Sequence, residues 1–144
     1  LTPHPKEFDR LAGASASGYE RLMKARNFAM EHSLILVLKG AHTASCLPDG
    51  TVCFNTSGNP GMATPGSGDV LTGILLGLLA SGHPPREAAI GGVWLHGTAG
   101  DLAAKRQSEE SMLAGDLVEE LGKAFKQALS PTPLSGKLSP ATKE

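Results

Sequence analysis

Apolar positions along this chain alternate between helical spacing and short unbroken runs, and the changes mark its elements. Phe8 and Leu11 share one face of a short helix over Lys6–Gly13. Pro5 suits its first turn and Gly13 its stop. Tyr19, Leu22, Met23 and Met30 form the apolar stripe of a second helix from about Ser17 to His32, with Glu20, Lys24 and Glu31 outside it. Leu34 to Leu38 is apolar at every position, as a strand covered on both faces must be. Helix followed by such a strand is the second half of a βαβ unit, and Leu1 is read as the end of the preceding strand. Thr43–Leu47 and Thr51–Phe54 flank Pro48-Asp49-Gly50 and predict a hairpin. A two-residue loop there would pair Cys46 with Cys53. A three-residue loop would pair Cys46 with Val52 and send the two sulfurs to opposite faces.

A glycine-, proline- and serine-rich loop, Asn55 to Gly68, ends in a helix from Ser67 or Gly68 to about Ala80. Val70, Leu71, Ile74, Leu75, Leu78 and Leu79 follow helical spacing and Leu76 adds apolar surface elsewhere, so this helix is expected to be buried on most sides. Gly73 and Gly77 would let another backbone approach it. Pro84-Pro85 opens a helix to about Lys105 whose glycine-rich middle has poor intrinsic propensity and needs close packing. There Trp94 reads as core and His96 as a packed, hydrogen-bonded imidazole outside any site. A last helix, from about Ala114 to Leu129, carries Leu117, Leu121, Ala124, Phe125 and Ala128 on one side. Residues 130–144 show no core pattern and read as a mobile tail.

Composition narrows the function classes. The chain has 144 residues, with 13 Lys plus Arg against 14 Asp plus Glu, a formal charge of −1. That balance gives no electrostatic case for nucleic acid. The longest apolar stretch, Val70–Ala80, is interrupted by Thr72 and too short to span a bilayer. Leu-Thr-Pro-His-Pro is no signal peptide and there is no initiator Met, so the chain is expected to begin inside a longer gene product or to be processed. Two cysteines make neither a disulfide framework nor a zinc site, and a reducing cytoplasm is the expected compartment.

The candidate chemistry sits between Thr56 and Asp69. Glycines bring backbone N–H groups close to a ligand, and the positive end of the following helix faces the same spot, so the segment predicts an anion site with phosphate as its guest. Asp69 has two readings: an acidic residue satisfying the helix start, or a base that takes a proton from a hydroxyl as it attacks a phosphoryl group. The loop is not a Walker A sequence, since Gly-Lys-Ser/Thr is absent, nor a dinucleotide fingerprint.

Gly-Ser-Gly-Asp at 66–69, behind Asn-Pro-Gly-Met-Ala-Thr at 59–64, resembles the ATP/ADP-dependent NAD(P)H-hydrate dehydratases, a branch of the ribokinase-like superfamily. So do Leu1-Thr-Pro-His-Pro-Lys-Glu-Phe, Leu38-Lys-Gly-Ala-His-Thr and Leu95-His-Gly-x-Ala-Gly-Asp, in the family's order. The resemblance covers residues 1–129 and implies an α/β fold, the C-terminal portion of a ribokinase-like three-layer αβα domain whose N-terminal half comes from the same gene product or another chain. Without that half, a sheet edge and apolar helix faces would be exposed, favouring a homo-oligomer. The implied activity is repair: dehydration of NAD(P)H hydrate at the expense of ATP or ADP, with Mg2+. The implied roles place Asp69 as base toward the hydrate and His4 on the hydrated nicotinamide nucleotide. Lys39, Gly40, Ala41, His42 and Thr43 would hold the adenine nucleotide. Asn59, Gly61, Met62, Ala63, Thr64, Gly66, Ser67 and Gly68 would line its phosphate site, and Glu7 would hold Mg2+ through water. Pro65 stands where the family usually has Gly or Ala, which removes one N–H. The alternatives are a small-molecule kinase of the same superfamily, acting on a vitamin precursor or sugar, and a nucleotide-binding remnant without activity.

Overall fold

The computed structural model describes residues 1–130; the expected tail, apart from Ser130, lies outside the described residues. The first helix, α1 (Pro5–Ala12), begins at a reciprocal cap. His4 Nδ1 accepts from the Glu7 amide at 3.2 Å, and the Glu7 carboxylate accepts from the His4 amide at 2.7 Å. Phe8 is buried, but Leu11 is 53 % exposed rather than sharing that burial. In α2 (Gly18–Glu31) the Ser17 hydroxyl caps the Glu20 amide at 3.1 Å. Its buried face is Ala25 and Ala29, backed by Leu22 and Phe28. Tyr19 and Met30, expected in the stripe, are exposed. The small alanines let the helix lie close against the sheet, and that contact fixes which face turns inward.

The strand β1 (Leu36–Leu38) is shorter than its apolar run but is covered on both faces as expected. Leu36 and Leu38 pack with Phe8, Ala25 and Ala29, while Val37 packs with Leu71, Ala89 and Val93 on the other side. Residues 1–3 lie beside it: the Leu1 ammonium donates to the Ile35 carbonyl (2.9 Å), the Val37 amide to Leu1 (2.8 Å) and the Lys39 amide to Pro3 (2.9 Å). That slanted pattern is a parallel ladder, so Leu1 does continue a strand position and α1–α2 form the crossover. On the other edge β1 pairs antiparallel with β2 (Ala44–Cys46), which pairs antiparallel with β3 (Val52–Phe54). Cys46 pairs with Val52, the register of the three-residue loop. Gly50, at φ +82°, takes the left-handed position the loop needs, and its amide donates to the Leu47 carbonyl at 3.0 Å. Both cysteines are free.

The second helical layer holds α3 (Ser67–Ala80) and α4 (Pro85–Arg106), with α5 (Ala114–Leu129) packed on them. Leu71 and Ile74 of α3 are buried, but Leu76 is 66 % and Leu79 45 % exposed. This helix is therefore not buried on most sides. Among the described residues nothing comes within 4 Å of a Cβ placed at Gly73 or Gly77. In α4 the expected close packing is present: a Cβ on Gly92 would meet Leu75 Cδ2 at 2.6 Å. The inner face of α5 is Leu117, Glu120 and Ala124, with Phe125 41 % exposed. Leu117 and Ala124 are buried as expected and Leu121 packs beside Ala124, while Glu120 shares this face with its carboxylate between Arg106 Nε (3.3 Å) and Lys123 Nζ (2.7 Å). Among the described residues no helix is long and apolar enough to cross a membrane.

Candidate functional site

The loop between β3 and α3 is held against one face of α4. Ser57 donates its hydroxyl to the Asn55 side chain (3.1 Å) and to the Trp94 carbonyl (3.2 Å). The Asp101 carboxylate accepts from the Gly58 amide (2.9 Å) and from Asn59 Nδ2 (3.1 Å). Asn59 then caps the short turn Pro60–Met62 by accepting from the Gly61 amide at 3.1 Å. Glycines make the seat: a Cβ on Gly97 would collide with Ser57, and one on Gly100 with Met62. Gly61 presses on the backbone of Glu109, with its Cβ position only 2.5 Å from that carbonyl oxygen.

Gly66, at φ +88°, makes the left-handed turn into α3. The amides around it are unequally free. That of Ser67 donates to the Thr64 carbonyl (3.3 Å) and that of Asp69 to Gly66 (3.0 Å). Among the described residues the Gly66 and Gly68 amides have no acceptor, and Pro65 has no N–H to offer. A negative ligand at this corner meets two uncommitted donors and the positive helix end.

Lys39 leaves the end of β1 and lays its ammonium over Gly68, 3.1 Å from where a Cβ would sit. It also stands 3.8 Å from the Glu7 carboxylate. Two cavities meet here, sharing Lys39 and Gly68. The larger, about 790 Å³, is lined by His4, the Gly40–Thr43 turn, the loop from Ser57 to Thr64 except Gly61, and Ser67, Val93 and His96. The smaller, about 610 Å³, is lined by Leu1–Pro3, Glu7, Leu11, Gly66, Asp69 and Thr72. Of the residues singled out in the sequence, Lys39 to Thr43, Asn59, Met62, Ala63, Thr64, Ser67 and Gly68 thus share one cavity. Gly61 lines neither; its place is structural. His4 opens on the larger cavity, whereas Asp69 and Glu7 open on the smaller. The Asp69 side chain is exposed, and among the described residues it accepts no hydrogen bond from the helix amides.

Three groups outside the sequence-based site belong to it. Asp101 anchors the loop, and Ser57 seats it. His96 reaches Ser67 with Nε2 at 2.9 Å from the carbonyl oxygen and 3.2 Å from the hydroxyl. Burial pushes the His96 imidazole below its ordinary value; the Ser67 carbonyl opposes that shift and the Lys39 cation adds to it. The motif His-Gly-x-Ala-Gly-Asp was visible, yet only the fold brings its polar ends to the loop. The Glu7 carboxyl is held below the usual range, first by the His4 amide and then by Lys39, His4 and Arg10. No three His, Cys, Asp or Glu side chains converge among the described residues, so a hold on Mg2+ here would run through water and the polyphosphate, with Glu7, 3.8 Å from the Lys39 ammonium, as the carboxylate facing it.

The family described as NAD(P)H-hydrate dehydratase matches residues 1–123. The bifunctional NAD(P)H-hydrate repair enzyme of Moorella thermoacetica is 51 % identical over 123 residues, which are 84 % of this chain and 23 % of that protein. The crystal structure of the ADP/ATP-dependent NAD(P)H-hydrate dehydratase from Bacillus subtilis, co-crystallised with ATP/Mg2+, superposes with a TM-score of 0.83 at 36 % identity, covering 88 % of this chain and 47 % of that one. A ribokinase-like superfamily protein from Enterococcus faecalis gives a TM-score of 0.75 at 33 % identity, covering 90 % and 44 %. The α/β architecture is therefore ribokinase-like, and the chain spans between about a quarter and a half of the length of these proteins.

Proposed function

The chain belongs to the NAD(P)H-hydrate dehydratase family, and on that premise we propose that it carries the phosphoryl-transfer corner of an ATP- or ADP-dependent dehydration of NAD(P)H hydrate. The observation that carries this reading is the meeting of the two cavities at Lys39 and Gly68, with Asp69 on one side and the nucleotide-sized space on the other.

The chemistry needs a hydroxyl turned into a leaving group. Asp69 takes the proton from the hydrate's ring hydroxyl as that oxygen attacks the terminal phosphorus of the nucleotide. The bond from that phosphorus to the bridging oxygen breaks, releasing the shortened nucleotide. The amides of Gly66 and Gly68 and the Lys39 ammonium steady the charge on the group in flight. The C–O bond of the phosphorylated intermediate then breaks as the ring nitrogen supplies electron density. Phosphate leaves, and a proton is lost from the adjacent ring carbon to restore NAD(P)H. Lys39 to Thr43 hold the nucleotide at the strand end, while Asn59, Met62, Ala63 and Thr64 form its opposite wall. His4, at the rim between the helix cap and the larger cavity, contacts the nicotinamide nucleotide where it reaches across. Glu7 would hold Mg2+ through water, and the ion would offset negative charge on the polyphosphate.

The remainder of the domain, from the same gene product or a second chain, covers the Leu1–Pro3 edge and the outer face of α3, where Leu76 and Leu79 lie open. The test is to offer the complete protein, with the remainder of the domain present, NADH hydrate with ADP or ATP and follow NADH absorbance. Asp69→Asn is expected to slow the reaction by roughly 10²–10⁴-fold with nucleotide affinity nearly unchanged. No return of NADH, or an undiminished rate in the variant, refutes the assignment.

A further inference from the structure

We propose that Ser67 gives its hydroxyl hydrogen to a phosphoryl oxygen of the bound nucleotide, and that His96 is the positioning residue that turns it that way. This rests on the nucleotide reading above and adds a side-chain donor to a corner so far described through backbone amides.

Ser67 is only 7 % exposed, and its own amide is already used on the Thr64 carbonyl. What remains is the hydroxyl. The ring atom His96 Nε2 lies 2.9 Å from the Ser67 carbonyl oxygen, which can only accept. Nε2 therefore carries the hydrogen, and the neutral ring is the Nε2–H tautomer. The opposite tautomer would press two lone pairs together at that distance. The same N–H also faces Ser67 Oγ at 3.2 Å. The hydroxyl oxygen thus accepts from the ring, and its hydrogen has to point elsewhere.

Other hydroxyls on these helices turn back onto the carbonyl four residues earlier: Thr72 to Gly68 at 3.0 Å, Ser81 to Gly77 at 2.8 Å. Ser67, at the first position of α3, follows a non-helical turn and makes no such bond. Among the described residues no acceptor other than the committed His96 nitrogen stands within hydrogen-bond reach of its Oγ. Ser67, Gly68, His96 and Lys39 all line the larger cavity. An unspent O–H beside an ammonium and a free amide is matched by an anion, and a phosphoryl oxygen is the group that would accept from all three.

The experiment compares ADP with adenosine as ligands of the wild type, Ser67→Ala, His96→Ala, His96→Gln and the double variant Ser67→Ala/His96→Ala, by calorimetry. Ser67→Ala is expected to weaken ADP about tenfold and to leave adenosine within about twofold of the wild type. His96→Ala should lose the same factor, the double variant should be no worse than Ser67→Ala alone, and His96→Gln, which keeps an N–H donor, should recover most of it. Should the His96 variants fail to fold, the serine arm alone decides. Unchanged ADP affinity in Ser67→Ala, or equal losses for ADP and adenosine, overturns the proposal while the nucleotide reading stands. A wild type that binds neither ligand removes both.

Discussion

Three glycines on α4 should respond to the same alanine substitution in different directions, because their neighbours differ. Gly91 has nothing within 4 Å of a Cβ position. Gly91→Ala then gains only helix propensity, about 0.8–1 kcal/mol. Gly97 faces the backbone of Ser57, with the carbonyl oxygen 2.7 Å and the carbonyl carbon 2.8 Å from the added atom. Main chain cannot step aside, so an overpacking cost of about 1–3 kcal/mol offsets the propensity gain of about 0.8–1 kcal/mol and leaves a net loss of up to about 2 kcal/mol. Gly100 faces the thioether of Met62, which can swing away, so its alanine should fall between the two. Thermal unfolding reads these differences at roughly 4 °C per kcal/mol for a chain of this size. The expected order of midpoints is Gly91→Ala above wild type, and Gly97→Ala lowest. If Gly97→Ala raised the midpoint as much as Gly91→Ala, the loop would not be seated on α4, and the geometry of the anion corner would have to be abandoned.

Asp101→Asn replaces an acceptor of two N–H groups with a side chain that must turn its own donor toward one of them. A loss of about 1–2 kcal/mol in urea midpoints, together with weaker nucleotide binding, is expected; unchanged binding would separate Asp101 from the site. The His96 shift has a definite sign with pH. Burial holds the folded ring below the ordinary imidazole value, so on acidification the unfolded chain takes the proton first. Stability conferred by the neutral ring is complete above about pH 6.5 and falls from there down to the folded value. Urea midpoints across that window should drop in the wild type and flatten in His96→Gln; parallel curves would contradict the burial.

Much of this architecture was legible in local chemistry. Proline at the start of α1 and α4, Ser17 before α2 and the Pro-Asp-Gly hairpin each fix a boundary through one or two residues. The run Leu36–Leu38 announced its two covers because no polar position interrupts it. What failed was facing. Periodicity places Tyr19, Met30 and Phe125 inward, yet Ala25 and Ala29 take the inner face of α2, and on α5 Glu120 shares the inner face with Leu117 and Ala124. The burial of α3 was overestimated because hydrophobicity alone does not say whether a neighbour is present. Within the site, the loop could be found from its glycines, and Asp69 from its position. The partition of His4 and Asp69 into different cavities, and the recruitment of His96 and Asp101 from a helix some thirty to forty residues later, depend on tertiary placement that no spacing encodes.

The α4 seat bears on how a ligand is received. Because Asp101 and the glycine hollows hold the segment through contacts within the protein itself, its chain entropy is surrendered while the protein folds and not when the guest arrives. Capture should therefore resemble entry into a finished receptacle, with association limited by encounter rather than by a wall that must first assemble.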